Sequence, residues 1–194
     1  MLSTGMTRGY EGEFAGFIAE HESDLGASLS QGSVVAWDGG LGPVSTECDL
    51  AIAIGEPQIK ARVANSFVQR GFRNFPNLVH MTAQLNSPFE ALGEGNIVFA
   101  NAFISCDVQI GAFCLFNWNV TIGHDARVGS YVVVNPHAHV SGHCAVGSAT
   151  LLGASSVLLE GVQVGERARV GAGAVVVDDV AAGATVVGVP AKAR

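Results

Sequence analysis

The feature that most constrains the fold of this chain is a large apolar residue at every sixth position between residues 98 and 176. The positions that obey the rule are Val98, Ile104, Ile110, Phe116, Ile122, Val128, Val134, Val140, Val146, Leu152, Leu158, Val164, Val170 and Val176. Glycine often follows this position, and a small residue usually stands two places before it. Neither the helical period nor simple alternation produces the pattern. A short repeat of this kind predicts a parallel β-helix, in which each unit forms one strand and one turn around a shared core.

The repeat resembles that of the hexapeptide-repeat acyltransferases, whose left-handed β-helix turns once per three hexapeptides. This resemblance implies about five coils between residues 96 and about 187, with a hand opposite to the usual right-handed crossover. Residues in equivalent positions of successive coils then stack at about the 4.8 Å strand spacing. A sandwich of valine-rich strands is the alternative, but it needs irregular turn clusters that this tract lacks.

The first part of the chain shows a mixed α/β pattern. FAGFIAEH and SVVAW are followed by CDLAIAIGEPQIKARVANSFVQRG, which indicates a buried apolar strand, a glycine turn and an amphipathic helix. We therefore expect an α/β substrate-binding domain over residues 1–77. The β-helix domain and a C-terminal tail are expected over residues 78–194, which makes the fold class mainly β.

Three segments point to a subfamily. IGHD at 122–125, GAGAVVVDDV at 171–180 and GVPAK at 188–192 are similar to segments of sialic acid O-acetyltransferases and of N-acetyltransferases of nucleotide-linked amino sugars. Members of that subfamily open with a strand and a glycine-rich turn into a helix that meets the nucleotide sugar. This chain begins close to what would be the second strand, so we expect a truncated Rossmann-like domain, which leaves nucleotide recognition open. Gly55, after DLAIAI, is what remains of the substrate pocket.

The resemblance also implies a reaction, the transfer of an acetyl group from acetyl-CoA to an amine or a hydroxyl. The nucleophile must lose a proton, and histidine is the side chain suited to accept it at neutral pH. We therefore predict that His124 is the general base. The role carried over to Asp125 is to orient the imidazole. Gly142, one coil away, is expected to offer its backbone N–H to the oxyanion.

The repeat is expected to place no Cys or Ser beside His124, which predicts direct attack in a ternary complex rather than an acyl-enzyme. Further binding residues follow from the resemblance: Asn117 toward the substrate, Ala154 and Ala172 along the CoA groove, and Lys192 toward the CoA phosphates. His143, which the repeat stacks over Asp125, is also expected to tune the site or contact the substrate. The alanine column and His124 fall on different corners, roughly 15 Å apart. A ligand that touches both fits best between two subunits, so we expect a homotrimer with inter-subunit active sites.

The composition excludes several other classes. The net charge is -7 without a Lys/Arg cluster, which argues against nucleic-acid binding. No apolar run reaches the roughly 18 residues of a membrane helix, and the N-terminal residues lack a secretory signal, so a cytoplasmic location is expected. The four cysteines show no CxxC or disulfide spacing, and we interpret them as small apolar fillers.

The sequence thus predicts an acetyl-CoA-dependent acetyltransferase acting on a sugar in surface-glycan biosynthesis, without a metal. One alternative is a non-catalytic β-helix that serves as a structural or assembly subunit. Another is a metalloenzyme like the γ-carbonic anhydrases, suggested by His137, His139 and His143. Zinc requires three convergent ligands, whereas this register sends those three side chains to different positions along the coil.

Overall fold

A computed structural model describes residues 12–30, 32–41, 44–88 and 91–194. The N-terminal part contains β1 (Phe17–Ala19), a 3-10 turn (Glu22–Asp24), β2 (Ser28–Leu29), β3 (Gly32–Trp37) and α1 (Pro57–Gln69). The strands that follow are β4 (Leu78–Val79), β5 (Gln84–Leu85), β6 (Ile97–Val98), β7 (Phe103–Ile104), β8 (Gln109–Ile110), β9 (Leu115–Phe116), β10 (Thr121–Ile122), β11 (Arg127–Val128), β12 (Val133–Val134), β13 (His139–Val140), β14 (Ala145–Val146), β15 (Leu151–Leu152), β16 (Val157–Leu158), β17 (Gln163–Val164), β18 (Arg169–Val170), β19 (Val175–Val176), β20 (Thr185–Val187) and β21 (Lys192–Ala193).

Strands β4 to β21 form a β-solenoid with three faces. The first face has the order β21-β20-β18-β15-β12-β9-β6-β4, the second β19-β16-β13-β10-β7-β5, and the third β17-β14-β11-β8. Neighbouring strands within each face are parallel, except for the antiparallel pair β20–β21. The chain visits the faces in turn, so three short strands complete one coil. The predicted parallel β-helix is confirmed.

The core of the solenoid is built by the six-residue repeat. All fourteen predicted apolar residues are the second residue of their strand, and all are buried. Ile122 pairs with Ile104 on the preceding coil and with Val140 on the following one. The small residues two places earlier in the repeat, such as Ala126 and Ala138, are also buried. The six-residue pattern therefore arises because these side chains stack on one another in one continuous core.

The corners of the coils repeat as regularly as the core. Every sixth residue from 95 to 173 has a positive φ, and most of these residues are not glycine. Asp125 (φ 57°) and His143 (φ 57°) occupy this position in successive coils. The N–H of each donates to a carbonyl one coil earlier, from Asp125 to Cys106 (3.2 Å) and from His143 to His124 (2.9 Å). A residue in the left-handed backbone conformation thus closes each corner, and its N–H joins the coil to the preceding one.

The solenoid is longer than the regular repeat. Its first strand is Leu78–Val79, which pairs with Ile97–Val98. In this first coil the step from Leu85 to Leu92 is one position longer than the repeat, and Leu92 bridges to Ile110. At the other end Val164 bridges to Val180, a step two positions shorter than a full coil. The terminal coils depart from the six-residue spacing, so the repeat alone did not reveal them.

The N-terminal part has a smaller sheet, in which β3 pairs with β1 in parallel and with β2 antiparallel. The predicted helix is confirmed as α1, with Pro57 at its start, where the missing N–H carries no penalty. The strand predicted for DLAIAI was wrong: within the described ranges, residues 49–54 pair with no strand. Leu50 and Ile52 still bury their side chains with Phe67 and Phe72. The apolar alternation that suggested a strand is therefore satisfied by packing under α1.

α1 is the only α-helix in the described ranges, and none of the helices there is long and apolar enough to cross a bilayer.

Removal of one core side chain should destabilise the stacked coils. Leu158 is fully buried between β13 and β19. We expect Leu158→Ala to lower the free energy of unfolding by about 2–5 kcal/mol, because the rigid coils on either side cannot collapse into the cavity. Urea titration followed by circular dichroism measures the loss. The exposed Leu25→Ala serves as control, with a change of about 0.5 kcal/mol or less; equal effects of the two substitutions would contradict the stacked core.

Candidate active site

His124 and Asp125 lie at the corner between the second and third faces, directly after β10. The core side chain of Ile122 points inward, and the two polar residues follow it into the corner. Nδ1 of His124 lies 2.8 Å from Oδ2 of Asp125, and both side chains are about half exposed. With the carboxylate ionised, Nδ1–H is the donor, and Nε2 keeps its lone pair. The imidazole is therefore set up to accept a proton at Nε2.

The carboxylate of Asp125 is held in its charged form. The hydrogen bond from His124 lowers the pKa of Asp125 below the usual aspartate value, and the nearby His143 acts in the same direction. Because the pKa of Asp125 is lowered in the folded state, this bond stabilises the fold at pH values above the ordinary aspartate pKa. The stabilisation is lost as the pH falls through the lowered pKa. Near neutral pH the imidazole thus keeps its orienting partner.

Gly142 lies one coil beyond His124, and its lack of a side chain makes room for the imidazole. A Cβ built on Gly142 would lie 2.7 Å from both Cε1 and Nε2 of His124. Among the described residues the Gly142 N–H donates no hydrogen bond, while its carbonyl accepts from the Gly161 N–H (3.0 Å). The site therefore places an unpaired backbone donor beside the nitrogen that would act as base.

His143 completes this cluster from the next coil. Its Nε2 is 3.9 Å from Asp125 Oδ2, and its ring meets that of His124 edge to face, with centroids 4.9 Å apart. His124, Asp125 and His143 offer ligand atoms within 4.8 Å of one another. Such a group could hold a metal ion, or it could serve as an oriented base, because Nδ1 of His124 is engaged by the carboxylate.

The predicted separation of the other histidines holds in the structure. His139 lies on the second face, where its Nδ1 is hydrogen-bonded to the Thr121 hydroxyl. His143 lies at the corner with Asp125, and His137 has the left-handed conformation of a different corner.

The expectation that the repeat leaves no cysteine beside His124 was wrong. Cys106 stands one full coil before His124, and its carbonyl accepts the Asp125 N–H. Its thiol is within 4.0 Å of the Ser105 hydroxyl, and no hydrogen bond joins it to the imidazole in the described part of the chain. Cys106, His124 and Gly142 therefore occupy equivalent positions on three successive coils.

The remaining predicted residues lie elsewhere. Asn117, Ala154 and Ala172 are on the corner between the first and second faces, and the Asn117 amide donates to the Val134 carbonyl (3.2 Å). Lys192 is in the exposed β21, with Nζ 3.4 Å from Asp178. Gly55 lies in the turn before α1, and a Cβ placed on it would meet no atom within 4 Å. His124, Asp125, Gly142 and His143 are therefore brought together at one corner, and Asn117, Ala154 and Ala172 share another.

Sequence reasoning did not find the contact between the turn at Gly55 and the coils. Glu56 forms a two-pronged ion pair with Arg169 on the first face, at 2.7 and 2.8 Å. Nearby, Lys60 is fully buried in α1 and donates to the Ile52 carbonyl at 2.5 Å. Burial lowers the pKa of Lys60 to about 8. The two residues of the ion pair are far apart in the sequence, and no motif links them.

A groove of about 1150 Å³ runs along the third face, and none of the predicted site residues lines it. Its floor is formed by the outward residues of the strands, among them Gln109, Arg127 and Gln163. One edge follows the glycines at 111, 129, 147 and 165. A Cβ on Gly129 or Gly147 would collide with the backbone of the next coil, so these glycines serve the stacking itself.

Solved structures with the same architecture identify the class of this protein. The acetyltransferase domain of PglB from Neisseria gonorrhoeae, solved with acetyl coenzyme A, is 28% identical, with 93% of this chain and 87% of that chain covered and a TM-score of 0.84. A histidine mutant of perosamine N-acetyltransferase from Caulobacter crescentus, solved with CoA and GDP-perosamine, is 30% identical, with coverages of 84% and 78% and a TM-score of 0.75. The chain belongs to the left-handed β-helix, hexapeptide-repeat acyltransferases. Neither a protein-family model nor a curated protein matches it.

A more distant member of this acyltransferase class is UDP-N-acetylglucosamine O-acyltransferase from Moraxella catarrhalis. It is 25% identical, with 61% of this chain and 53% of that chain covered and a TM-score of 0.57. The lower coverage and TM-score set this likeness apart from those to the two acetyltransferases. The chain as a whole is thus more similar to those two acetyltransferases.

Loss of the carboxylate should slow the acyltransferase without unfolding it. We expect Asp125→Asn to lower kcat by about 10-fold or more, because the amide no longer holds the imidazole in one tautomer and orientation. Asp107→Asn, at the same corner one coil earlier, is the matched control and should keep wild-type turnover. Steady-state rates of CoA release measure both. Equal kcat for the two variants would remove Asp125 from the orienting role.

Proposed function

We propose that this chain transfers the acetyl group of acetyl-CoA to the amino group of a nucleotide-linked sugar, with His124 as general base. The observation that carries the proposal is the 2.8 Å bond from His124 to Asp125, with the Gly142 backbone against the imidazole. An amine is favoured over a hydroxyl because a solved neighbour 30% identical to this chain is an N-acetyltransferase bound to GDP-perosamine. A hydroxyl of a sialic-acid-type sugar is the other acceptor.

In the proposed reaction the acceptor nitrogen attacks the thioester carbonyl carbon and forms the new C–N bond. The nitrogen becomes positively charged and gives a proton to Nε2 of His124, while Nδ1–H stays bonded to Asp125. The imidazolium that forms is stabilised by the adjacent carboxylate. A positioned base of this kind contributes about 10²- to 10⁴-fold.

The carbonyl oxygen becomes an oxyanion during the attack. The Gly142 N–H, unpaired in the described part of the chain, is proposed to donate to it. One preorganised donor at this place contributes about 3 kcal/mol. Collapse of the intermediate breaks the C–S bond, and the CoA thiolate takes the proton back from His124. The imidazole is then ready for another cycle. Cys106 is not needed in this scheme.

We infer that the complete site lies between subunits of a homotrimer. Three exposed apolar side chains flank the second face, Trp118 at one corner and Leu159 and Val177 at the other. This other corner is the one that carries His124. An apolar strip beside a reactive corner fits a subunit interface. A second prism packed there would bring its own Ala154 and Ala172 toward His124 and form the CoA groove between two chains.

The acceptor is proposed to contact Gly55, Asn117 and His143, and Lys192 is proposed to meet the CoA phosphates. We place the reaction in the cytoplasm and in the biosynthesis of surface glycans. The α/β character of residues 1–77 is part of this proposal: β1–β3 and α1 would form a reduced acceptor-binding unit.

The test is the release of CoA thiol with a panel of nucleotide-linked amino sugars, free amino sugars and sialic acid. Release with one nucleotide-linked amine, unchanged by a metal chelator, is the expected result. Sedimentation should give an assembly of three 20.0 kDa chains. Acetyl-CoA binding without release in the presence of any acceptor would contradict the acceptor class. Failure to bind acetyl-CoA would favour a structural subunit, and loss of activity with the chelator would favour a metalloenzyme.

A further inference from the structure

The ion pair between Glu56 and Arg169 joins the N-terminal part to the coils. Nη1 of Arg169 donates to Oε1 of Glu56 at 2.8 Å, and Nη2 donates to Oε2 at 2.7 Å. Parallel bonds of this kind fix orientation as well as distance. Across residues 12–30, 32–41, 44–88 and 91–194, it is the only salt bridge between the N-terminal part and the solenoid.

The local sequence leaves Glu56 free for this contact. Pro57 disfavours a helical conformation at the residue before it, and Glu56 is extended (φ -98°, ψ 115°). Glu56 is the N-cap residue of α1, yet its side chain makes no capping hydrogen bond. The carboxylate is instead directed to Arg169 in β18, on the first face of the solenoid.

A separate anchor holds the middle of α1. The Tyr131 hydroxyl donates to the Asn65 side chain (3.2 Å), and the Tyr131 ring stacks on Phe113 with the ring planes 1° apart. Phe75 packs edge-on against Phe113, with centroids 5.0 Å apart. Loss of the ion pair would therefore leave the helix seated, while the turn at Gly55 and Glu56 loses its salt bridge to the coils.

We propose that Arg169 is a positioning residue that fixes the turn Gly55–Pro57 over the solenoid and thereby sets the affinity for the acceptor. The inference rests on the proposed function, in which Gly55 contacts the acceptor sugar. It is supported by the open space next to Gly55, where an added Cβ meets nothing within 4 Å. The carboxylate of the next residue is the group that the guanidinium holds. The ion pair thus ties this open turn to the coils, while the buried Pro57 and the bond from Lys60 to the Ile52 carbonyl hold it within the N-terminal part.

The first test is steady-state kinetics of Arg169→Ala with the nucleotide-linked amino sugar and acetyl-CoA. The KM for the acceptor should rise by about five- to tenfold, since the pair is two-pronged but partly exposed. The KM for acetyl-CoA and kcat should stay within twofold. The acceptor KM of Arg169→Lys should lie between those of wild type and Arg169→Ala, because lysine keeps the charge but cannot form two parallel hydrogen bonds. Arg167→Ala, two positions earlier, is the matched control and should resemble wild type.

Exchanging the two charges provides the decisive variant. Glu56→Arg combined with Arg169→Glu restores an ion pair, so the acceptor KM should return to within about threefold of wild type. Failure of the exchange to restore any affinity, or an equal rise of both KM values, overturns the positioning role. A rise with Arg167→Ala of the same size also overturns it.

Hydrogen exchange tests the role of the ion pair without turnover. The amide of Lys60, which donates to the Glu56 carbonyl (2.8 Å), should exchange faster in Arg169→Ala than in wild type, while the amides of residues 62–68 stay protected. Unchanged exchange at Lys60 overturns the inference even in an active enzyme. If the wild-type protein acetylates no sugar, the proposed function and the acceptor role fail together, and the exchange rates still show whether Arg169 holds the turn.

Discussion

His124→Ala is expected to lower kcat by about 10²- to 10⁴-fold while acetyl-CoA still binds. The imidazole is the only described group whose free nitrogen lies against the Gly142 backbone, and its other nitrogen is held by Asp125. Removing it leaves the acceptor without a proton acceptor at the moment of attack. The side chain is half exposed, so the fold should not depend on it. Single-turnover acetyl transfer and calorimetric titration with acetyl-CoA separate the two effects.

The matched control is His137→Ala, at a corner position away from the site. It should leave turnover unchanged. His124→Asn is the more conservative change and should be nearly as slow as alanine, because an amide nitrogen does not take up a proton at neutral pH. Near-wild-type turnover of either His124 variant would exclude this residue as the base.

Gly142→Ala is expected to slow the enzyme strongly with little effect on stability. The new Cβ would lie 2.7 Å from Nε2 and Cε1 of His124, and the backbone of Gly142 is outside the left-handed region. The side chain of His124 can rotate away, so the fold adapts easily. The displaced imidazole no longer meets the acceptor, and we expect kcat to fall by about 10²-fold. Thermal unfolding should shift by no more than about 2 °C.

Gly123→Ala makes the contrasting control. A Cβ there would lie 2.5 Å from the Gly142 backbone nitrogen and from the Ser141 carbonyl carbon, so the coils themselves must separate. We expect this variant to unfold at a clearly lower temperature. A Gly142→Ala protein with normal kcat would mean that the imidazole does not rest on Gly142 during turnover.

Most of the solenoid could be predicted from the sequence, because residues that stack on one another are a fixed number of positions apart in the chain. Ile122 meets Ile104 and Val140 at a fixed separation of one coil, so a count along the chain gives neighbours in space. The same count brought His124, Gly142 and Asp125 together. It failed at the ends, where the steps from Leu85 to Leu92 and from Val164 to Val180 break the period.

Less of the N-terminal part could be predicted from the sequence, because its contacts follow no period. DLAIAI alternates like a strand, but its apolar residues are buried against α1 and no partner strand is supplied within the described ranges. The Glu56–Arg169 pair depends on how α1 lies on the first face, which local propensity does not determine. The three-dimensional packing of one unit on another decided both features.

The left-handed corners have a consequence for how such scaffolds acquire chemistry. Asparagine, aspartate and histidine tolerate a positive φ better than most residues. They fill six of the eleven non-glycine corner positions in this protein: Asn101, Asp107, Asn119, Asp125, His137 and His143. Residues that suit the positive φ of the corners thus also place proton acceptors and hydrogen-bonding groups along the edges of the prism. New activities in this architecture can arise from side chains already selected for closing a turn.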